Sequence, residues 1–197
     1  MTNASDPTRP NFWSVRYAAG TTPWDFEGVP VALRKFLRRR PHGGRVLIPG
    51  CGSGYEVQAF HDAGFDVTAV DFSPVAIERA RHLLGPLGAR VHRANFFSDK
   101  TIRGPYDLIY ERTFLCSMPP ARWPVYAQRI AHLLAPDGRL VGLFFRRRGR
   151  GGPPFPITQA QLGKLFHASF RLTRDEPVSD SLALFKGRER WQEWSRV

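Results

Sequence analysis

The stretch RVLIPGCGSGYEVQAF, residues 45–60, joins a short apolar run, a glycine cluster and a helix-compatible segment. An apolar strand such as RVLIP is suited to burial on both faces, as in a parallel sheet. Residues 54–63 read as a helix closed by Gly64, and FDVTAVD, residues 65–71, as the next strand, ending at Asp71. SPVAIERARHLL follows, with Ser73 as N-cap, Pro74 at the first helical position and Gly85 at the end. ARVHRANF (89–96) and YDLIYE (106–111) supply the third and fourth strands. A helix over 121–134 and a turn at Pro136–Asp137–Gly138 lead into RLVGLFF, the fifth strand. A helix begun by Thr158 runs to His167. Two last strands, 169–176 and 180–186, share a short loop holding Pro177, Ser179 and Asp180, which favours an antiparallel hairpin. Ahead of all this lie a short helix over Trp13–Ala19 and a second one bearing Val31, Leu33, Phe36 and Leu37, stopped by Pro41. Such alternation predicts an α/β doubly wound, Rossmann-like sheet, mostly parallel with a C-terminal hairpin. Its ligand site lies beyond the carboxyl ends of the strands, where the glycine cluster stands.

Three loop chemistries compete for Gly50–Cys51–Gly52–Ser53–Gly54. A phosphate cradle of the GxxxxGK[ST] type lacks both its lysine and its spacing here. A dinucleotide fingerprint needs GxGxxG, whereas this loop reads GxGxG followed by Tyr55 and Glu56. Glu56 in the first turn suits the helix dipole but repels a pyrophosphate placed there. The loop therefore fits a nucleoside ligand without phosphate. Asp71, 21 residues after Gly50, can accept from ribose hydroxyls at the end of the second strand; it can also cap the following helix, though Ser73 already fits that role.

The 197 residues, 42% hydrophobic and 13% aromatic, predict one globular domain over 11–197 behind a frayed tail, residues 1–10. No apolar run approaches a membrane span, and the N-terminus lacks a signal core, so a cytoplasmic protein without membrane contact is expected. Cys51 and Cys116 make no zinc set; no metal is expected, and both read as small buried hydrophobes. The formal charge of +12 is concentrated in Arg38–Arg40, Arg146–Arg150 and Arg188–Arg190. Such runs are read first as solvated element ends, with nucleic-acid binding and attraction of a small anion as the rival uses.

A nucleoside without phosphate on such a sheet looks like S-adenosyl-L-methionine (SAM) bound by a class I methyltransferase. The stretches GTTPWD, LIPGCGSGYEV, YDLIYERTFLCSM, LLAPDGRLVGLFF, GGPPF and KGRER, in that order, resemble the thiopurine methyltransferase superfamily, most closely its thiol and halide (thiocyanate) branch. The resemblance runs from Trp13 to Trp194 and implies seven strands in the order 3-2-1-4-5-7-6. It implies that an N-terminal aromatic lid, residues 11–27, covers SAM through Trp13, Tyr17 and Trp24. Gly50, Gly52 and Gly54 would carry the methionine part, Asp71 the ribose, and Asn95 and Phe96 the adenine. Glu111 would sit near the amino-acid part or the substrate, with Arg112 beside it on the substrate side. Gly152, Pro153, Pro154 and Phe155 would form a substrate lid. Tyr17 stands where relatives often carry Trp, and Asn95 where many carry Asp.

The acceptor implied is a small-molecule soft nucleophile: a thiol, thiopurine, halide, thiocyanate or chalcogen anion. Attack on a sulfonium methyl needs positioning and water exclusion more than a general base, so the lack of a Cys/His/Asp triad or paired carboxylates is in keeping. An RNA or DNA methyltransferase is the rival on charge alone, but ERTFLCSMPP stands where an amino-methylating [DNS]PP[YFW] motif belongs. A non-catalytic cofactor-binding module is the other rival. A monomer is expected, since no exposed apolar stripe stands out.

Overall fold

The computed structural model describes residues 5–39 and 43–197; Pro41 and Arg40 fall outside them. Two helices come first, α1 (Pro10–Ala18) and α2 (Val31–Arg39). The alternating part follows: β1 (Arg45–Pro49), α3 (Tyr55–Asp62), β2 (Asp66–Asp71), α4 (Pro74–Leu84), β3 (Val91–Arg93) and β4 (Tyr106–Arg112). Then come α5 (Phe114–Ser117), α6 (Trp123–Leu133), β5 (Leu134–Phe145), α7 (Gln159–Phe166), β6 (Phe170–Pro177) and β7 (Glu189–Arg196).

The seven strands form one sheet in the order β3-β2-β1-β4-β5-β7-β6. β3, β2, β1, β4 and β5 run parallel, and β7 enters antiparallel between β5 and β6. Ile109, Tyr126, Ile130 and Phe166 belong to the core on one face; Val46, Val57, Phe60 and Ile77 belong to that on the other. Local signals act as read: Ser73 Oγ accepts from Ala76 N at 3.3 Å, and Thr158 with Gln161 closes a reciprocal capping box on α7. Strand order reverses between β1 and β4, which opens a crevice at their carboxyl ends.

Three elements differ from the sequence reading. Pro136–Asp137–Gly138 does not precede β5 but interrupts it: Leu134 pairs with Tyr106, and pairing resumes at Arg139 opposite Leu108. Asp137 absorbs the excursion at φ 63°. The third strand is only Val91–Arg93, because Asn95 turns the chain by accepting from Phe97 N at 3.0 Å. The last strand is Glu189–Arg196 rather than 180–186; Ala183–Phe185 is a 3₁₀ turn that packs Phe185 on Phe145. Glu189, Gln192 and Glu193 disguise β7. They are buried yet polar, because each is answered by a neighbour: Ser181 and Leu182 N, Gln159, and Arg174 respectively.

Gly142 lies in β5 between Glu111 of β4 and Gln192 of β7. A Cβ there would stand 1.8 Å from the Glu111 carbonyl oxygen, backbone that cannot yield without parting the strands. Gly142→Ala should cost about 3 kcal/mol or more, read as a lowered urea midpoint.

Candidate functional site

The crevice holds a cavity of about 520 Å³, within the span usual for small-molecule sites. Its floor is the glycine loop, where Gly50 (φ 62°) and Gly52 (φ 53°) take the left-handed backbone that a side chain disfavours. A Cβ on Gly50 would meet the Phe114 ring at 2.3 Å, and one on Gly52 the Tyr17 hydroxyl at 2.5 Å. Gly54 serves packing instead, since it faces Leu84 and Ala80, lets α3 close on α4 and does not line the cavity. Asp71 fastens the loop. One carboxylate oxygen accepts from Gly52 N at 3.1 Å and the other from Ser73 N at 2.8 Å. Burial raises its pKa, and these N–H groups oppose the rise.

The cover comes from the N-terminus. Trp13, Tyr17 and Trp24 all line the cavity, with Trp13 edge-on to Trp24 at 5.2 Å and Trp24 Nε1 donating to the Tyr17 hydroxyl at 3.3 Å. Burial pushes the Tyr17 phenol well above its ordinary range. Ser53 Oγ of the glycine loop donates to Asp25 at 2.6 Å, Arg79 pairs with the same carboxylate at 3.4 Å, and the Ser14 and Ser73 hydroxyls lie 2.9 Å apart. Residues 5–9, read as tail, are folded in: Trp13 Nε1 donates to the Pro7 carbonyl at 2.8 Å, and Thr8 lines the cavity.

At the carboxyl end of β4, adjacent residues point to opposite faces. Arg112 lines the cavity, with Nη1 3.3 Å from Glu56 Oε1 and the guanidinium 4.5 Å from the Phe26 ring centroid. Glu111 does not line it. Its carboxylate turns to the other face, accepting from Leu115 N at 2.9 Å and from the Tyr126 hydroxyl at 2.7 Å. Thr113 follows at φ 59°, rare for a β-branched residue, where the chain swings from β4 into α5.

Asn95 and Phe96 both line the cavity, though the Asn95 side-chain oxygen already serves Phe97 N. Gly152, Pro153 and Pro154 line the far rim, while Phe155 turns into the core and its N–H donates to the Cys116 carbonyl at 2.6 Å. In the basic run, Arg146 is tied to Gln159 (2.6 Å) and Asp175 (3.1 Å), whereas Arg147, Arg148 and Arg150 are exposed. The sequence reading missed Phe26, Tyr110 and Phe185 as lining residues. Tyr110 had a signal, since it stands two residues before Arg112 on one strand face; Phe185 was hidden by the misplaced last strand. Cys51 and Cys116 also line the cavity, and burial holds both thiols well above their ordinary pKa.

No helix among the described residues is long and apolar enough to cross a membrane. A family model described as thiopurine S-methyltransferase matches residues 8–195. Probable thiol methyltransferase 2 from Arabidopsis thaliana is 34% identical over 158 residues, covering 78% of this chain and 70% of that protein. Thiocyanate methyltransferase 1 from Brassica oleracea is 28% identical over 192 residues, covering 94% and 84%. Among solved structures, magnesium protoporphyrin IX methyltransferase from Synechocystis PCC 6803 with bound SAM aligns with a TM-score of 0.72 at 17% identity, covering 95% of this chain and 97% of that one. This last likeness concerns the fold.

Burial lifts the Glu111 pKa from the ordinary 4.5 to about 7, the N–H of Leu115 and the Tyr126 hydroxyl opposing the shift. Between those values the folded state holds a proton that the unfolded chain has released, so stability falls as pH rises from about 4.5 to 7. Glu111→Gln should flatten this slope, matching the parent near pH ~5 and melting higher at pH ~8.

Proposed function

Because the chain belongs to the thiopurine S-methyltransferase family, we propose that its cavity seats SAM beside a small soft nucleophile, a thiol, thiopurine, thiocyanate or halide. One observation carries the reading. Asp71, the backbone of Gly50 and Gly52, and the aromatic cover of Trp13, Tyr17 and Trp24 converge on a single cavity. The residues suit the cofactor. A carboxylate accepting two N–H bonds keeps lone pairs for ribose hydroxyls, and Phe72 and Phe96 line the same cavity as aromatic surface for adenine. Asn95 lines the cavity too, and with its side-chain oxygen engaged by Phe97 N its amide nitrogen is the group left to donate.

Held by Asp71 and the glycine loop, SAM would supply a methyl already activated on a sulfonium, for direct transfer to the acceptor's lone pair with the departing electron pair left on sulfur. The protein's own part is enclosure. The aromatic cover and the Gly152–Pro154 rim exclude water from the acceptor, which strengthens a soft anion as a nucleophile. The described lining residues include no histidine, in keeping with an acceptor that arrives deprotonated. Burial also keeps Cys51 and Cys116 as neutral thiols, so the wall does not compete for the methyl group. The N-terminal segment 11–27 acts as the lid, and the exposed Arg147, Arg148 and Arg150 next to the rim add positive potential for an anion approaching it.

Purified protein given SAM with thiols, thiocyanate, iodide and thiopurines in turn should yield S-adenosylhomocysteine with at least one of them; silence across the set refutes the acceptor class. Asp71→Asn should weaken S-adenosylhomocysteine binding by about ten- to a hundredfold, measured by calorimetry.

A further inference from the structure

Two loops meet at the far rim of the cavity. β5 and β7 pair through Phe145 opposite Glu189, so the chain leaving β5 and the chain entering β7 stand side by side. Arg146 N donates to the Arg188 carbonyl at 2.9 Å and joins them. Each loop contributes to the cavity wall: Gly152, Pro153 and Pro154 from the first, Leu184 and Phe185 from the second.

Outside that wall both loops carry exposed cations, Arg147, Arg148 and Arg150 on one, Lys186 and Arg188 on the other. Among the described residues, none of these side chains has an ion pair or a hydrogen-bond partner. The acids close by are engaged elsewhere. Asp175 is shared by Arg146 at 3.1 Å and Arg190 at 2.6 Å, and Glu176 pairs with Arg174. Asp180 accepts from Val31 N at 2.6 Å, and the buried Glu189 serves Ser181 and Leu182 N. The backbone N–H groups from Arg148 to Gly152 also meet no acceptor among the described residues. The basic end of α2 is a different case, because Arg38 and Arg39 stand in its last turn, where the helix dipole favours cations. At the rim, like charges on adjoining loops repel one another with no neighbouring acid to offset them.

A halide or thiocyanate ion takes its single charge into the cavity and leaves nothing at this rim. An acceptor that sends its sulfur inward and keeps further charge outside engages both. The rim cations are arginines apart from Lys186, and planar guanidinium forks match oxyanions. We propose that the acceptor is a multiply anionic thiol, whose sulfur passes the Gly152–Pro154 rim while two or more oxyanion charges, carboxylate or phosphate, rest on Arg147, Arg148, Arg150, Lys186 and Arg188. The inference rests on the methyl-transfer reading above and narrows its acceptor class.

The test uses aromatic thiols of similar shape and rising body charge, all thiolates under mildly alkaline conditions. They are benzenethiol, 4-mercaptobenzoate, 5-mercaptoisophthalate and 4-mercaptophenylphosphonate. The parent's kcat/KM, read as S-adenosylhomocysteine released in dilute buffer, should rise at least about tenfold from benzenethiol to the dicarboxylate, the phosphonate or both. The gain should lie chiefly in KM and shrink in added salt. Whichever dianion gains more names the oxyanion that the arginines meet. Lys186→Gln with Arg188→Gln should cut the gain about threefold, and adding Arg147→Gln, Arg148→Gln and Arg150→Gln should abolish it. A parent that methylates benzenethiol without favouring either dianion overturns the inference and leaves the methyl-transfer reading standing. A gain that stops at the monoanion, or one that survives all the replacements, overturns it too. So does turnover of thiocyanate or iodide with every thiol silent. Silence across thiols and inorganic anions alike refutes the reading beneath it.

Discussion

The hydrogen bond from Gly52 N–H to Asp71 ties the end of β1 to the end of β2, and the rest of the site is organised around it. It holds the glycine loop against the strand ends, where Gly50 leaves room for the Phe114 ring and Gly52 for the Tyr17 hydroxyl. The same carboxylate fixes Ser73 N–H at the entry to α4, and the Ser73 hydroxyl touches Ser14 of the cover. One acid thereby links sheet, loop, helix and the N-terminal segment. Burial makes its charge costly, and the two backbone donors offset that cost.

The sheet explains why neighbouring residues on β4 have separate roles. Glu111 and Arg112 are consecutive, so strand alternation sends one towards Tyr126 and the other towards Phe26 and Glu56. Glu111 is spent inside the fold, bonding α5 and α6 to the strand that carries the crevice. Arg112 remains for the cavity. A polar pair at a strand end is thus divided by geometry between the interior and the cavity wall.

Much of this was legible in the residues. Continuous apolar runs marked the parallel strands, and Ser73–Pro74 and Thr158 marked helix starts, because those signals are local. The glycine loop and Asp71 were readable because left-handed turns and strand-end acids leave distinctive residues at fixed places. What escaped depends on neighbours distant in sequence. The apolar 180–186 segment imitated a strand, whereas the true strand, ERWQEWSR, looked too polar to be central until its partners were visible. Glu111 was expected at the ligand and faces away, since which face of β4 meets the crevice is set by pairing with β1 and β5. Gly54, grouped with its two neighbours in sequence, is a helix-packing residue for the same reason.

The Asp25 clasp, joined at once to Ser53 and Arg79, has a kinetic meaning. A segment fastened both to the loop beneath it and to the neighbouring helix is held at two points at once, so parting either contact alone leaves the other in place. Uncovering the crevice then requires both contacts at Asp25 to part together, and their joint lifetime bounds how fast this segment can leave the loop beneath it.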